Sequence, residues 1–219
     1  RHFEPTHYYN TIGSHKPVLH VSDGDTIMTS TVDARGQDKT GETVTRRGNP
    51  QTGPFYVENA EPGDTLAVHL DKLTPNRPIG WTRPVVASHI MDAEYIRTVT
   101  QDIPDTEALC EWEMNVEDKT VTLINPTDTR LGPMTLPMAP MVGCFGVAPS
   151  LEQAISTATS SNHGGNMDYR GFVEGVTVYF PVFASGALFH IGDGHALQGD
   201  GEIVGTGIEI SFDVQFTVR

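Results

Sequence analysis

The densest concentration of chemically able side chains lies between Ile191 and Glu202, where Asp193, His195, Asp200 and Glu202 stand among Gly192, Gly194, Gly199 and Gly201. Glycines at that density allow tight turns and expose backbone, while carboxylates and imidazole supply oxygen and nitrogen donors for a cation. Asp193 and His195 are two apart, so on an extended segment they face the same way and could grip one metal ion together. Carboxylates beside a strongly apolar strand need a cation, a hydrogen-bond net or a substrate to satisfy them. Glu202 has the chemistry of a general base and proton shuttle, or that of a surface carboxylate anchoring the glycine turn.

A second polar cluster runs from Ser161 to Asp168 and contains His163, Gly164, Gly165 and Asn166. The Gly164-Gly165 pair could turn backbone N–H groups into a site as an oxyanion-binding loop, with Asn166 and Asp168 on one side of an extended segment; an ordinary Asn- and Gly-rich loop reads the same way. Asp33 ends an early strand, and His69 sits between Val68 and Leu70 near the end of a later one. Alternation places His69 on the face opposite those two apolar side chains. Cys144, between Gly143 and Phe145, is open to a nucleophilic reading if a base lowers its pKa. A buried structural thiol is the other reading, because free cysteine behaves as a small hydrophobe.

The elements that must position these residues read as mainly β, a sandwich or barrel-like set of sheets with few short helices. Twenty-two glycines and fifteen prolines punctuate the whole chain, as in a many-stranded protein. Thr206 to Val218 alternates Ile208, Ile210, Phe212, Val214, Phe216 and Val218 with Glu209, Ser211, Asp213, Gln215 and Thr217, the pattern of a half-buried strand. Asp23-Gly24-Asp25-Thr26 and Pro62-Gly63-Asp64-Thr65 are two copies of a Gly-Asp turn feeding a strand, and Gly175-Val176-Thr177 is a weaker third. A helix is expected over Ser150 to Ser160, from the capping-box spacing of Ser150 and Gln153 and the stripe Leu151, Ala154, Ile155, Ala158; Glu107 to Trp112 is a second candidate, too short to assign. Gln37 to Gly53 reads as a long surface loop or flap. The 219 residues fit one unit, or two β subdomains divided near 75–84, where Pro75, Pro78, Gly80 and Pro84 gather.

Fourteen Lys and Arg stand against 28 Asp and Glu, a formal charge of −14. Such a chain repels phosphate backbones and anionic lipid, so nucleic acid and membrane are excluded as partners. The most apolar stretch, Val176 to Ile191, is broken by Pro181, Ser185 and Gly186 and is too short for a membrane helix. Two cysteines make no disulfide framework, and a cytoplasmic location is the expectation.

Gly192-Asp193-Gly194-His195-Ala196 with Gln198-Gly199-Asp200-Gly201-Glu202, followed by Gly205-Thr206-Gly207-Ile208-Glu209, resembles the signature block of the acetamidase/formamidase family. His163 to Asp168, Tyr179 to Val182, Met141 to Pro149, Val21 to Asp25 with Asp33-Ala34 and Gly36-Gln37, and Gly53 to Glu58 also resemble segments of that family, in order. The resemblance implies a mostly β, metal-associated hydrolase that turns short linear amides such as formamide or acetamide into acid and ammonia, and a homo-oligomer. Asp193 and His195 are then the first expected ligands, and Asp33 and His69 the second. Glu202, Asp168 and Asn166 are the expected catalytic groups, and His163, Gly164, Gly165 and Cys144 the expected substrate contacts. Mixed imidazole and carboxylate donors favour zinc, while calcium or magnesium would suit a carboxylate-dominated site. The rival class is a small-ligand or carbohydrate-binding β-module with a structural metal and no catalysis.

Overall fold

The computed structural model describes residues 1–84, 86–87, 90–99, 109–124, 132 and 134–219. Along them run β1 (His2–Phe3), β2 (Thr11–Gly13), β3 (Leu19–Val21), β4 (Thr26–Ser30), β5 (Thr52–Val57), β6 (Thr65–Pro75) and β7 (Ile79–Thr82), then the single short helix α1 (Ala93–Val99). There follow β8 (Cys110–Asn115), β9 (Thr120–Leu123), β10 (Thr135–Pro137), β11 (Met141–Gly146), β12 (Ala154–Ser156), β13 (Ser160–Ser161), β14 (Gly164–Asn166), β15 (Thr177–Pro181), β16 (Phe189–His195) and β17 (Phe212–Val218). The expected mainly β architecture is what the chain builds.

One sheet has the order β1-β4-β17-β6-β15 and a second the order β13-β14-β11-β16-β5-β3. A four-stranded sheet, β10-β9-β8-β7, and the pair β12-β2 complete the set. The two larger sheets meet through aromatic rings: Phe216 of β17 lies 5.3 Å from Phe55 of β5 and 5.1 Å from Phe189 of β16, centroid to centroid. Offset and edge-on aromatic pairs of this kind bury large apolar area and define a sandwich interior. The core cluster takes Leu73 and Phe55 from before residues 75–84 and Trp112, Phe145 and Phe189 from after them. Among the described residues no helix is long and apolar enough to cross a membrane.

The two Gly-Asp turns are built alike. Asp25 Oδ2 accepts the N–H of Ser22 at 2.7 Å and Asp64 Oδ2 that of Glu61 at 2.9 Å, with Gly24 and Gly63 in the left-handed region. Each turn closes through its own Asp side chain and launches a strand, β4 and β6, on either side of β17.

The alternation of β17 holds from Phe212 to Val218, where Phe212, Val214, Phe216 and Val218 are buried and Asp213 is exposed. It fails just before. Residues 207–211 are all buried, because this stretch is wedged between two neighbours: Glu209 exchanges both backbone hydrogen bonds with Trp81, and the Ile210 N–H donates to Gly194 O. A segment covered on both sides buries its polar positions too.

The expected helix over Ser150 to Ser160 is instead turns with β12 and β13. Leu151 and Glu152 adopt φ of 60° and 54°, which no right-handed helix admits, and Leu151 is 87% exposed. Pairing of Ala154, Ile155 and Ser156 with β2 overrides the helical pattern. Of the stretch Glu107 to Trp112, too short to assign from the sequence, residues 107 and 108 lie outside the described residues, and Cys110–Asn115 is strand β8. The polar stretch from Gln37 is not surface throughout, since Pro50, Gln51, Thr52 and Gly53 are buried.

Candidate active site

Asp168, Asp193, His195, Glu202 and Glu209 line one cavity of about 380 Å³ together with Asn49, Trp81 and Asn166. The ligand atoms of Asp168, Asp193 and His195 lie within 4.8 Å of one another, and so do those of His195, Glu202 and Glu209. His195 Nε2 is the hub, at 2.9 Å from Glu209 Oε1, 3.4 Å from Asp193 Oδ1 and 4.0 Å from Glu202 Oε1.

The backbone is bent to achieve this convergence. Asp193 sits inside β16 with φ 60°, Asp168 follows β14 with φ 42°, and Glu202 closes a glycine turn with φ 43°. Left-handed backbone at residues with side chains is costly and collects at functional sites. In β16, therefore, Asp193 and His195 do not converge through simple extended geometry, though their side chains do meet. On the neighbouring β11, a Cβ at Gly143 would fall 2.7 Å from Asp193 Oδ2, nearer still to Asp168 Oδ1, and 3.2 Å from His195 Cε1. Only glycine leaves that cradle open.

A hydrogen-bond relay fixes the far oxygens. Asn49 Nδ2 donates to Asp193 Oδ2 at 2.9 Å and to Asn166 Oδ1 at 2.8 Å, and Asn166 Nδ2 donates to Asp168 Oδ2 at 2.7 Å. On the imidazole side, Gln198 Nε2 donates to the Asp168 carbonyl at 2.6 Å. That contact turns Gln198 Oε1 towards His195 Nδ1, 2.8 Å away, so Nδ1 carries the proton and Nε2 faces the cluster. Ligating histidines have this outer partner as a rule.

What remains is a set of buried atoms without hydrogen bonds: Asp168 Oδ1, His195 Nε2 and Glu209 Oε2. His195 Nε2 is close to Glu209 Oε1 but not aligned with it for a hydrogen bond. Orphaned polar atoms are expensive to bury, and these are two carboxylate oxygens and an imidazole nitrogen, the donor types that a divalent cation takes. The residues fit such an ion.

Electrostatics carry the same message. Burial, then the charges of Asp193 and Glu202, push Asp168 up to about 8. Burial also pushes Glu209 up to about 8, with Asp193 adding to it and His195 opposing it. Burial and Asp193 raise Glu202 as well, against the opposing pull of His195. Burial disfavours an imidazolium at His195, but the Glu209 and Asp193 carboxylates outweigh it and hold the ring well above its usual range. Closely packed acids that resist ionising together are what a cation would relieve.

Of the residues singled out in the sequence, the structure brings Asp193, His195, Asp168, Glu202 and Asn166 together and leaves the others elsewhere. Asp33 is buried outside the cavity with both oxygens occupied: Oδ2 accepts from Arg77 Nη2 at 2.6 Å and Trp81 Nε1 at 2.8 Å, and Oδ1 from the N–H groups of Arg35 and Gln37 at 2.9 Å each. His69 is on the outward face of β6, its Nδ1 2.9 Å from Thr177 Oγ1. His163 is buried with neither ring nitrogen hydrogen-bonded, and burial lowers its pKa. Gly164 and Gly165 lie in the ladder between β13 and β11, not on the cavity wall. Cys144 is buried, its thiol 3.7 Å from the Thr157 carbonyl. Burial, then the Asp193 and Asp168 charges, push that thiol well up, so the structural reading describes its surroundings. Asp200 is solvent-exposed, 3.6 Å from Arg170.

Glu209, Asn49 and Gln198 are site residues that sequence reasoning did not single out. Glu209 occupies a polar position of an alternating run, where it reads as solvent-facing; the adjacent Gly205 and Gly207 were the available signal. Gly207 fits only because it lacks a side chain, since a Cβ there would meet His195 Nδ1 at 2.6 Å. Asn49 stood in the supposed flap, and nothing local marks it.

The family model described as the acetamidase/formamidase family matches residues 150–219, the segment that contains Asp168, Asp193, His195, Glu202 and Glu209. An acetamidase from Mycolicibacterium smegmatis is 28% identical over 201 residues, covering 69% of this chain and 48% of that protein. The chain thus spans about half the length of the curated relatives it matches. Among solved structures, a predicted acetamidase/formamidase from Thermoanaerobacter tengcongensis is 32% identical with a TM-score of 0.75, covering 100% of this chain and 68% of the other. An acetamidase from Bacillus halodurans is 28% identical with a TM-score of 0.78, covering 100% and 70%.

Proposed function

This chain belongs to the acetamidase/formamidase family, and we propose on that footing that it hydrolyses short linear amides of the formamide and acetamide type to a carboxylate and ammonia. The observation that carries the reading is the set of buried atoms without a hydrogen bond on Asp168, His195 and Glu209, which line one cavity. We assign Asp168, Asp193, His195 and Glu209 to hold a divalent cation. Zinc is favoured by the imidazole, whose Nε2 is kept free by the Nδ1 contact to Gln198; calcium or magnesium would draw on the carboxylates alone. A bound ion of this kind supplies Lewis acidity towards the amide oxygen and a lowered pKa for bound water.

The chain's own groups do the rest. Glu202 reaches the cavity with a raised pKa, which suits a carboxylate that takes a proton from the attacking water and returns it to the departing nitrogen. Asn166 and Asn49 hold Asp168 and Asp193 in register. Asp33 and His69 have no place in this ligand set, and Cys144 none in the chemistry.

We also read the chain as a single unit that works in the cytoplasm and self-associates. Free thiols at Cys110 and Cys144 fit a reducing compartment. Tyr179, 68% exposed, and Met28, 46% exposed, offer apolar contact on the outer face of the five-stranded sheet.

The test is ammonia release from formamide and acetamide. Turnover that stops on chelation, returns with a divalent ion, disappears in His195→Ala and survives in Cys144→Ser is the expected result. Turnover untouched by exhaustive chelation and abolished by Cys144→Ser would replace the metal reading with a thiol one. A folded protein that releases no ammonia from any short amide would be a binding module.

A further inference from the structure

The cavity is larger than a small neutral amide requires, and its charge is unevenly placed. Its volume, about 380 Å³, falls in the range of pockets that enclose whole small-molecule ligands, roughly 300–1,000 Å³, whereas acetamide has four non-hydrogen atoms. Arg35, Arg47 and Arg83 all line it, in a chain with 14 cationic side chains against 28 acids. Arg1, Lys39, Arg77 and Arg170 each have a carboxylate within 4 Å. Among the described residues Arg35, Arg47 and Arg83 have none, as is also true of Lys16, Arg46, Lys72, Arg97, Lys119 and Arg219; what sets the three apart is that they line the cavity.

Arg35 is also held in place. Its N–H donates to Asp33 Oδ1 at 2.9 Å, and its guanidinium carbon lies 5.6 Å from the centre of the Trp81 ring. The Trp81 Nε1 donates to the other Asp33 oxygen at 2.8 Å. One buried carboxylate, anchored by Arg77, therefore sets both the Arg35 turn and the ring beneath it as a single wall. A guanidinium stacked on an aromatic face keeps its planar fork free for an oxyanion.

We infer that the arginine side of this cavity binds a carboxylate carried on the acyl chain of the amide, with Arg35 as a specificity-determining residue, Arg47 and Arg83 assisting, and Asp33 as a positioning residue. The inference rests on the amide-hydrolysis reading: nitrogen leaves as ammonia, so only the acyl side can carry a further group. The acidic floor repels the carboxylate and the arginines attract it, which orients the neutral amide end towards His195. In the reaction water adds its oxygen to the amide carbon, the carbon–nitrogen bond breaks, and an ω-carboxyl amide becomes a dicarboxylate plus ammonium, with no oxidant or reductant.

The experiment compares kcat/KM for ammonia release from succinamate and from its neutral counterpart succinamide. The expected preference for the anion is about tenfold or more, the worth of one good charge-assisted contact. It shrinks at high salt, falls to about one in Arg35→Gln and is partly kept in Arg35→Lys. Asp33→Asn should lower the same ratio, whereas a merely structural loss would slow both substrates alike. Equal rates on the two substrates, or a preference unchanged in Arg35→Gln, would overturn the assignment. If neither amide is hydrolysed, the amide-hydrolysis reading fails, and calorimetric binding of succinate decides separately: binding weakened about tenfold in Arg35→Gln keeps the anion site, and no binding removes it.

Discussion

Asp168, Asp193 and Glu202 hold φ between 42° and 60°, a conformation that strains any residue with a side chain and that persists only where the surroundings impose it. The imposition is visible in single residues. Gly143 leaves room that a methyl group would take from Asp168 and Asp193, so Gly143→Ala should abolish tight cation binding and amide turnover while the fold survives, as read by metal content and circular dichroism. Gln198 ties the His195 tautomer to the Asp168 carbonyl. Gln198→Leu should weaken cation affinity by roughly 10–100-fold, the usual cost of losing an outer partner, measurable by competition with a coloured chelator. Asp193, His195, Asp168 and Glu202 were legible because reactive side chains stand there beside glycine. Glu209 was not, since a charged residue in an alternating run looks like every other solvated one until the chain on its far side is known.

At the scale of elements, the Asp33 turn couples a loop to a strand: Arg77 and Asp33, 5% and 0% exposed at their side chains, form a 2.6 Å ion pair that fixes residues 33–37 against β7. Asp33→Ala leaves a buried guanidinium unpaired and should cost about 3–5 kcal/mol, read as a lower denaturant midpoint; an unchanged midpoint would deny the anchor. Strands with one wet face announced themselves, as β17 did through Phe212, Val214, Phe216 and Val218. Local patterns misled where pairing across the molecule prevailed. Residues 150–160 have helical spacing, yet Ile155 pairs with Ile12, 143 positions away, and the buried run at 207–211 has neighbours on both sides. The turns Asp25 and Asp64 were readable because their closure is internal to four residues.

For the whole molecule, the formal charge of −14 is partly concentrated in one buried cluster, and that has a consequence for stability. Asp168 and Glu209 have folded pKa values near 8, above the roughly 4 of an unfolded carboxylate. The folded state therefore holds more protons than the unfolded one between those limits, so this contribution is complete below about pH 4 and is lost as pH rises to about 8. His195, also raised, acts in the same direction above its ordinary value. Cation-free protein should thus lose roughly 3 kcal/mol, or about 10 °C in Tm, between pH 6.5 and 8, and a divalent ion should restore it by replacing the protons. A Tm that is flat over that interval and indifferent to added metal would contradict the clustering of charge described here.

The most direct test of the central claim, that the cluster around His195 holds the ion on which amide hydrolysis depends, is the rate of ammonia release from acetamide by chelator-stripped protein titrated with zinc. The rate should rise from near zero in proportion to bound zinc and level off when the site is filled, with no response in His195→Ala. A stripped protein that already turns over acetamide at its full rate would contradict the account.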